Sequence, residues 1–158
     1  MATRLRRLYW DSGCVIGLLS KQSTVPKEWL DAIEAAYDDM LCDKVKIVIN
    51  DELFKVEVFA GKSKREQATY NTLVGCRNFE LVTTPMSSYT AEVRKLREDF
   101  QAIKQSIQVC DAMHVLCAKR GAVDEFWTTD GAIVRKAPTG LFGNLKVCHP
   151  YLEQLRLF

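Results

Sequence analysis

Short apolar runs of strand length alternate with longer segments of helical spacing along this chain. That alternation admits few architectures. Arg6–Trp10 reads as a strand, and residues 13–19 continue apolar at helical spacing. Lys27–Leu41 places Trp29, Leu30, Ile33, Ala36, Tyr37 and Met40 three and four residues apart, which predicts a helix started by Thr24 and Pro26. Residues 44–49, 79–83 and 125–129 read as strands, and 145–148 as a weak last one. Helices are expected over 51–59 and 65–77, split near Gly61, and over 86–104, Val109–Arg120 and Gly131–Lys136, with Gly121 as a stop. Strands alternating with helices predict an α/β domain of three α/β/α layers around a mostly parallel sheet.

Composition agrees with one globular domain over residues 1–158. Hydrophobic residues make up 47% and charged residues 27%, enough apolar material for a core and too much for disorder. A net charge of +2 neither demands nor excludes a nucleic-acid partner. The six cysteines form no CxxC pair and read as free thiols in a reducing cytoplasm. A zinc site from Cys110, His114 and Cys117 lacks a second ligand cluster. The basic start MATRLRR is followed by an apolar run that Asp11 interrupts, so it does not read as a signal peptide, and no stretch is long enough to span a membrane.

In open parallel sheets, ligands bind outside the carboxyl ends of the strands. Asp11 follows the first strand, Asp51 and Glu52 follow the second, and Asp130 follows the strand that begins near Glu125. Glu57 lies on the helix after the second strand, and Asp111 opens a later helix. Taken singly, Asp11, Asp111 and Asp130 suit helix caps, Asp51 and Glu52 suit a first turn, and Glu57 suits a solvated helix face. Taken together, converging carboxylates repel unless a cation compensates, and a hard divalent ion such as Mg²⁺ or Mn²⁺ prefers oxygen ligands. Such a site suits phosphoryl chemistry. No GxSxG or GxxxxGK[ST] motif competes, and the two histidines are His114 and His149.

Four segments carry a resemblance. YWDSGCVIGLL, VINDELFKVEV, DAMHVLCAKRGA and FWTTD together resemble the PIN-domain ribonucleases, in particular the VapC-like toxins of toxin–antitoxin pairs. The resemblance implies a PIN-like fold and a metal-dependent endoribonuclease that hydrolyses RNA. It also implies a separate antitoxin protein and a homodimer. It places the acids of the site at Asp11, Glu57, Asp111 and Asp130, holding Mg²⁺ or Mn²⁺, and a frequent family histidine at His114. Gly13 and Asn50-Asp51 depart from the family pattern, which leaves Glu52 as the other choice for the inward acid. Apolar flanks favour Glu57.

On this reading, Ser12 and Thr128 orient carboxylates, and Ser12 serves equally well as a helix cap. His114 shares a helix face with Asp111, and a hydrogen-bonded role suits it better than metal ligation. Two basic clusters, Arg4, Arg6 and Arg7, then Lys62, Lys64 and Arg65, are candidates for RNA contact, although solvated surface is the commoner role of such runs. Trp10 and Trp127 are expected in the core. The rival function is a catalytically weak PIN-fold binding or regulatory module. A receiver-like phosphoryl pocket is disfavoured, because no suitable lysine follows a late strand.

Overall fold

The computed structural model describes residues 4–20, 24–59 and 64–153, with no side chains given for 58, 59, 64 and 65. Five strands form one sheet: β1 (Arg6–Trp10), β2 (Val45–Asn50), β3 (Phe79–Val82), β4 (Glu125–Trp127) and β5 (Val147–Cys148). Their order is β3-β2-β1-β4-β5, and every pairing is parallel. The chain starts in the middle of the sheet, builds outward through β2 and β3, and returns to add β4 on the other side of β1. Between β1 and β4 the winding reverses, the position at which open parallel sheets form a crevice.

Alternation along the strands divides the core in two. Leu8, Trp10, Val45, Ile47, Ile49 and Trp127 face one side, under α1 (Ser12–Ser20), α2 (Lys27–Leu41) and α4 (Lys64–Val74). Tyr9, Val48, Phe126 and Val147 face the other, under α5 (Thr90–Ala102), α6 (Val109–Arg120) and α7 (Gly131–Lys136). Strands covered on both faces can be apolar throughout, which explains the unbroken VKIVIN run. Trp10 and Trp127 are buried and stacked 6.4 Å apart at 14°.

The structure differs from the expected elements at several points. The sheet is wholly parallel rather than mostly so. The segment expected as one helix over 51–59 is a short α3 (Asp51–Phe54) that widens into a π-helix over Lys55–Phe59. The segment expected from 86 opens as a 3-10 turn, Met86–Tyr89, before α5. Thr24 does not cap α2, whose first flanking residue is Pro26. Gly121 ends α6 in right-handed geometry, and Ala122 takes the left-handed position with φ 48°. The split expected at Gly61 lies outside the described residues. The PIN-like label is also not carried by this architecture. What is present is an α/β domain with a five-stranded parallel sheet and flanking helices, a frame that many unrelated functions share.

The amino edge of the sheet is tied by one buried acid. Glu125, 4% exposed, opens β4 and accepts from Arg6, Lys146, Tyr151 and the indole N–H of Trp127. Burial pushes its carboxyl up, but Lys146, Tyr151 and Arg6 together hold it below the ordinary value. Arg4 pairs with Asp124, and Arg7 with Glu80. The three arginines weighed as candidates for RNA contact therefore serve as ties at the edge opposite the carboxyl ends of the strands. Of the second cluster, Lys62 and the side chains of Lys64 and Arg65 lie outside the description.

A depressed acid stabilises the fold above its unfolded pKa of ~4.3 and loses that contribution as pH falls through the folded value. Glu125→Gln should therefore cost about 1–3 kcal/mol at pH 7, between an exposed and a fully buried pair. The deficit relative to the wild type should shrink in acid. Thermal unfolding of both proteins at pH 7 and pH 4 measures it, and equal deficits at the two pH values would refute the assignment.

Candidate functional site

Strand register assembles the centre of the site. Trp10 pairs with Trp127, so the next residues, Asp11 and Thr128, emerge side by side at the carboxyl ends of β1 and β4. Thr128 Oγ1 donates to Asp11 Oδ2 at 2.5 Å and accepts from the Asp130 amide at 2.9 Å. A single hydroxyl thus joins the loops that carry two of the acids. Asp11 Oδ1 accepts from the Cys14 amide at 3.0 Å in the first turn of α1, and Asp130 Oδ1 accepts from the Ala132 amide at 2.8 Å in the first turn of α7. Both acids are therefore helix caps as well as members of this edge.

Asp111 stands in the first turn of α6, half-buried, with no hydrogen bond to its carboxylate among the described residues. Its partners are electrostatic. Burial raises its carboxyl above the ordinary value, Asp130 adds most to that, Glu57 and Asp11 add less, and His114 opposes them. Asp111 thus lies within electrostatic reach of the other three acids. Burial also lifts Asp11, against His114 and its hydrogen-bond donors.

Glu57 is carried by the π-helical turn, a distortion that often accompanies functional sites. Its Oε1 lies 2.7 Å from His114 Nε2, and its side chain is 31% exposed. Glu52 points elsewhere, accepting from the Met86 amide at 2.9 Å, and Asp51 is held by Tyr70 at 2.6 Å and Lys55 at 2.9 Å. Glu57 is thus the acid of this segment that joins the cluster. The expected reason was not the operative one: Val56 beside it is 58% exposed. Contact with His114 positions it instead. His114 is buried, with Nδ1 2.7 Å from the Tyr9 hydroxyl, so both ring nitrogens are engaged.

Ser12 Oγ is buried, has no hydrogen-bond partner among the described residues and follows Asp11 directly. It does not cap α1, a task taken by Asp11. Gly13, a departure from the family pattern, packs tightly against the loop after β4. A Cβ there would overlap Thr129 Oγ1 and approach Asp11 Oδ1 to 3.3 Å, so a larger residue would push the loop after β4 away. The departure at Gly13 thus has a steric cause. Asn50 likewise caps α3 through the Leu53 amide at 3.0 Å.

An all-oxygen, anionic donor set with an unpartnered hydroxyl beside it fits a hard divalent cation in chemistry. The set is not closed into a ready ligand cage. Among the described residues no group of three or more His, Cys, Asp or Glu stands in position to hold a metal ion. Asp11 has both oxygens in hydrogen bonds, while Asp111 has neither among the described contacts.

No protein-family model matches the chain, and no curated protein matches it either. Solved structures do. A chain of VapBC2 from Rickettsia felis bound to a promoter DNA fragment superposes with a TM-score of 0.60 at 13% identity, over 90% of this chain and 98% of that one. A chain of FitAcB from Neisseria gonorrhoeae gives 0.52 at 12% identity, over 90% and 97%. A chain of FitAB bound to an IR36 DNA fragment gives 0.52 at 13%, over 94% and 99%. At this identity the likeness is one of fold alone. It corrects the assignment made from sequence: the chain is not placed among PIN-domain ribonucleases or VapC-like toxins, and what stands is an α/β fold shared with chains of VapBC2 and FitAB complexes. No helix among the described residues is long and apolar enough to cross a membrane.

Raised acids act on stability in the opposite sense to Glu125. With Asp11 and Asp111 above their ordinary values, the folded chain binds protons before the unfolded one as pH falls from 7. Their contribution to stability should therefore rise on mild acidification and fall again as pH returns to neutrality. Asp111→Asn should flatten that part of the profile. Denaturant midpoints between pH 7 and pH 4, without divalent ions, give the comparison, and parallel profiles for wild type and variant would exclude the crowding described here.

Proposed function

We propose that the chain is a metal-dependent endoribonuclease, a hydrolase of RNA phosphodiester bonds, working in a cytoplasmic complex of the toxin–antitoxin kind. What supports the catalytic part is the edge itself: Thr128 joins Asp11 to the loop of Asp130, and Asp111 lies within electrostatic reach of both and of Glu57. Asp11 is buried, Asp111 half-buried and Glu57 and Asp130 exposed; carboxylates crowded at one edge cost stability, and a divalent cation is the usual compensation. Asp11, Glu57, Asp111 and Asp130 would hold Mg²⁺ or Mn²⁺. Such an ion, when bound, neutralises phosphate charge and lowers the pKa of water. Thr128 fixes Asp11 and the Asp130 loop, His114 orients Glu57, and Ser12 offers an uncommitted hydroxyl to ordered water. The cap amides of α1 and α7 hold two of the acids in place before any substrate arrives. The partner-protein part is supported by the fold-level neighbours, which come from VapBC2 and FitAB complexes. A homodimeric state belongs to the same proposal.

A second reading is a binding or regulatory module without efficient catalysis. It is favoured by the lack of three closely placed ligands among the described residues.

Incubation of a total RNA pool with Mg²⁺ or Mn²⁺, with mapped ends, separates the two. Asp11→Asn should lower cleavage by about 100-fold or more while the protein stays folded. Full activity in that variant, or no metal-stimulated cleavage by the wild type, would reject the ribonuclease reading and leave the binding module.

A further inference from the structure

Tyr9 takes no part in the chemistry proposed above, yet it is fully buried in the central strand with its hydroxyl on His114 Nδ1 at 2.7 Å. The other ring nitrogen, Nε2, meets Glu57 Oε1 at 2.7 Å. A carboxylate only accepts hydrogen bonds, so Nε2 must carry a proton wherever Glu57 is ionised. In the neutral ring that leaves Nδ1 as a lone pair, and a lone pair needs a donor. The Tyr9 hydroxyl is the donor in reach.

We propose that Tyr9 is a positioning residue that locks neutral His114 in its Nε2–H tautomer and thereby aims Glu57 into the acid cluster. This rests on the metal-site reading for its functional consequence, and on geometry alone for the tautomer. Which ring nitrogen bears the proton is set by the hydrogen bond the other makes, and partners of this kind fix the orientation of the group beyond them. Tyr9 suits the task because its environment keeps it a phenol: burial, then Cys117, Asp11 and Glu57, all oppose its ionisation. Its ring is also held in place. Phe126 meets it edge-on at 5.1 Å, and the His114 ring meets it edge-on at 5.8 Å. The pairing has a cause in the fold: Tyr9 alternates with Leu8 and Trp10, so it faces α6, where His114 lies. Without the hydroxyl, the ring would be free to place its proton on Nδ1 and turn a lone pair towards the Glu57 carboxylate. Glu57 is carried by a π-helical turn and partly exposed, so its remaining restraint on that side would be lost.

Tyr9→Phe removes only the hydroxyl. Nitrogen-15 shifts of the His114 ring, recorded at a pH where they show it neutral, should report the Nε2–H form in the wild type and a mixture or the Nδ1–H form in the variant. His114→Gln supplies the assignment, since His149 is the other histidine. Calorimetric Mn²⁺ affinity should fall by about tenfold in Tyr9→Phe. In a His114→Gln background, which keeps a side-chain N–H near Glu57 but has no tautomers, Tyr9→Phe should add nothing. An unchanged tautomer in Tyr9→Phe overturns the proposal, and so does an equal loss of affinity in both backgrounds. A wild-type chain that binds no Mn²⁺, while Tyr9→Phe still alters the tautomer, removes the metal reading and leaves the Tyr9 lock standing.

Discussion

The pairing of Trp10 with Trp127 is the constraint from which the rest of the site follows. It joins two strands that are far apart in sequence at the place where the sheet changes its direction of winding. One residue further, the same register sets Asp11 against Thr128, and the Thr128 hydroxyl extends the link to the Asp130 amide. A shift of one residue would turn Tyr9, Trp10, Phe126 and Trp127 to the wrong faces and separate the acids. The large aromatic pair thus fixes the polar geometry beside it, and the Trp127 carbonyl accepts from the Asp11 amide at 3.2 Å.

The electrostatics of the edge are a balance of local compensations. Three helices begin here, α1, α7 and α6, and each has an acid at or near its first turn. Backbone amides and the positive ends of the helices offset part of the negative charge. The offset is incomplete for Asp11 and Asp111, whose carboxyls stay above their ordinary values. At the other end of the strands Glu125 has the reverse fortune, with two cations and a phenol around it. One sheet therefore holds one buried acid that prefers to be charged and others that resist it, according to what surrounds each.

Much of this was legible in the amino-acid sequence, and the parts that were not have definite causes. Strand and helix positions follow from apolar spacing, and an acid directly after a strand is placed by the strand itself. Asp11 was readable for that reason, whereas the strand expected over 125–129 ends at Trp127, so Asp130 is placed instead by its amide on Thr128 and by capping α7. Glu57 was chosen for its apolar neighbours, but Val56 is exposed and the contact with His114 does the placing. That contact joins residues 57 positions apart, and no local pattern records it. Arg4, Arg6 and Arg7 looked like a free basic run because their partners Asp124, Glu125 and Glu80 lie on other strands or loops. The family assignment failed for a related reason. Short motifs of an acid after a strand or in a first helical turn are what any parallel sheet with an acidic edge requires, and at 12–13% identity only the fold is shared.

The bond from Thr128 to Asp11 spans 117 residues. A ribosome releases β1 early and β4 late, so for most of its synthesis the chain carries Asp11 without the hydroxyl and the neighbouring strand that shape its surroundings. Contacts of such long range form slowly, because the intervening chain must first be organised. The acid edge is consequently a property of the finished chain. An unfinished or truncated product ending before β4 would hold three of the five strands and the helices α1 to α6, yet no assembled cluster of carboxylates.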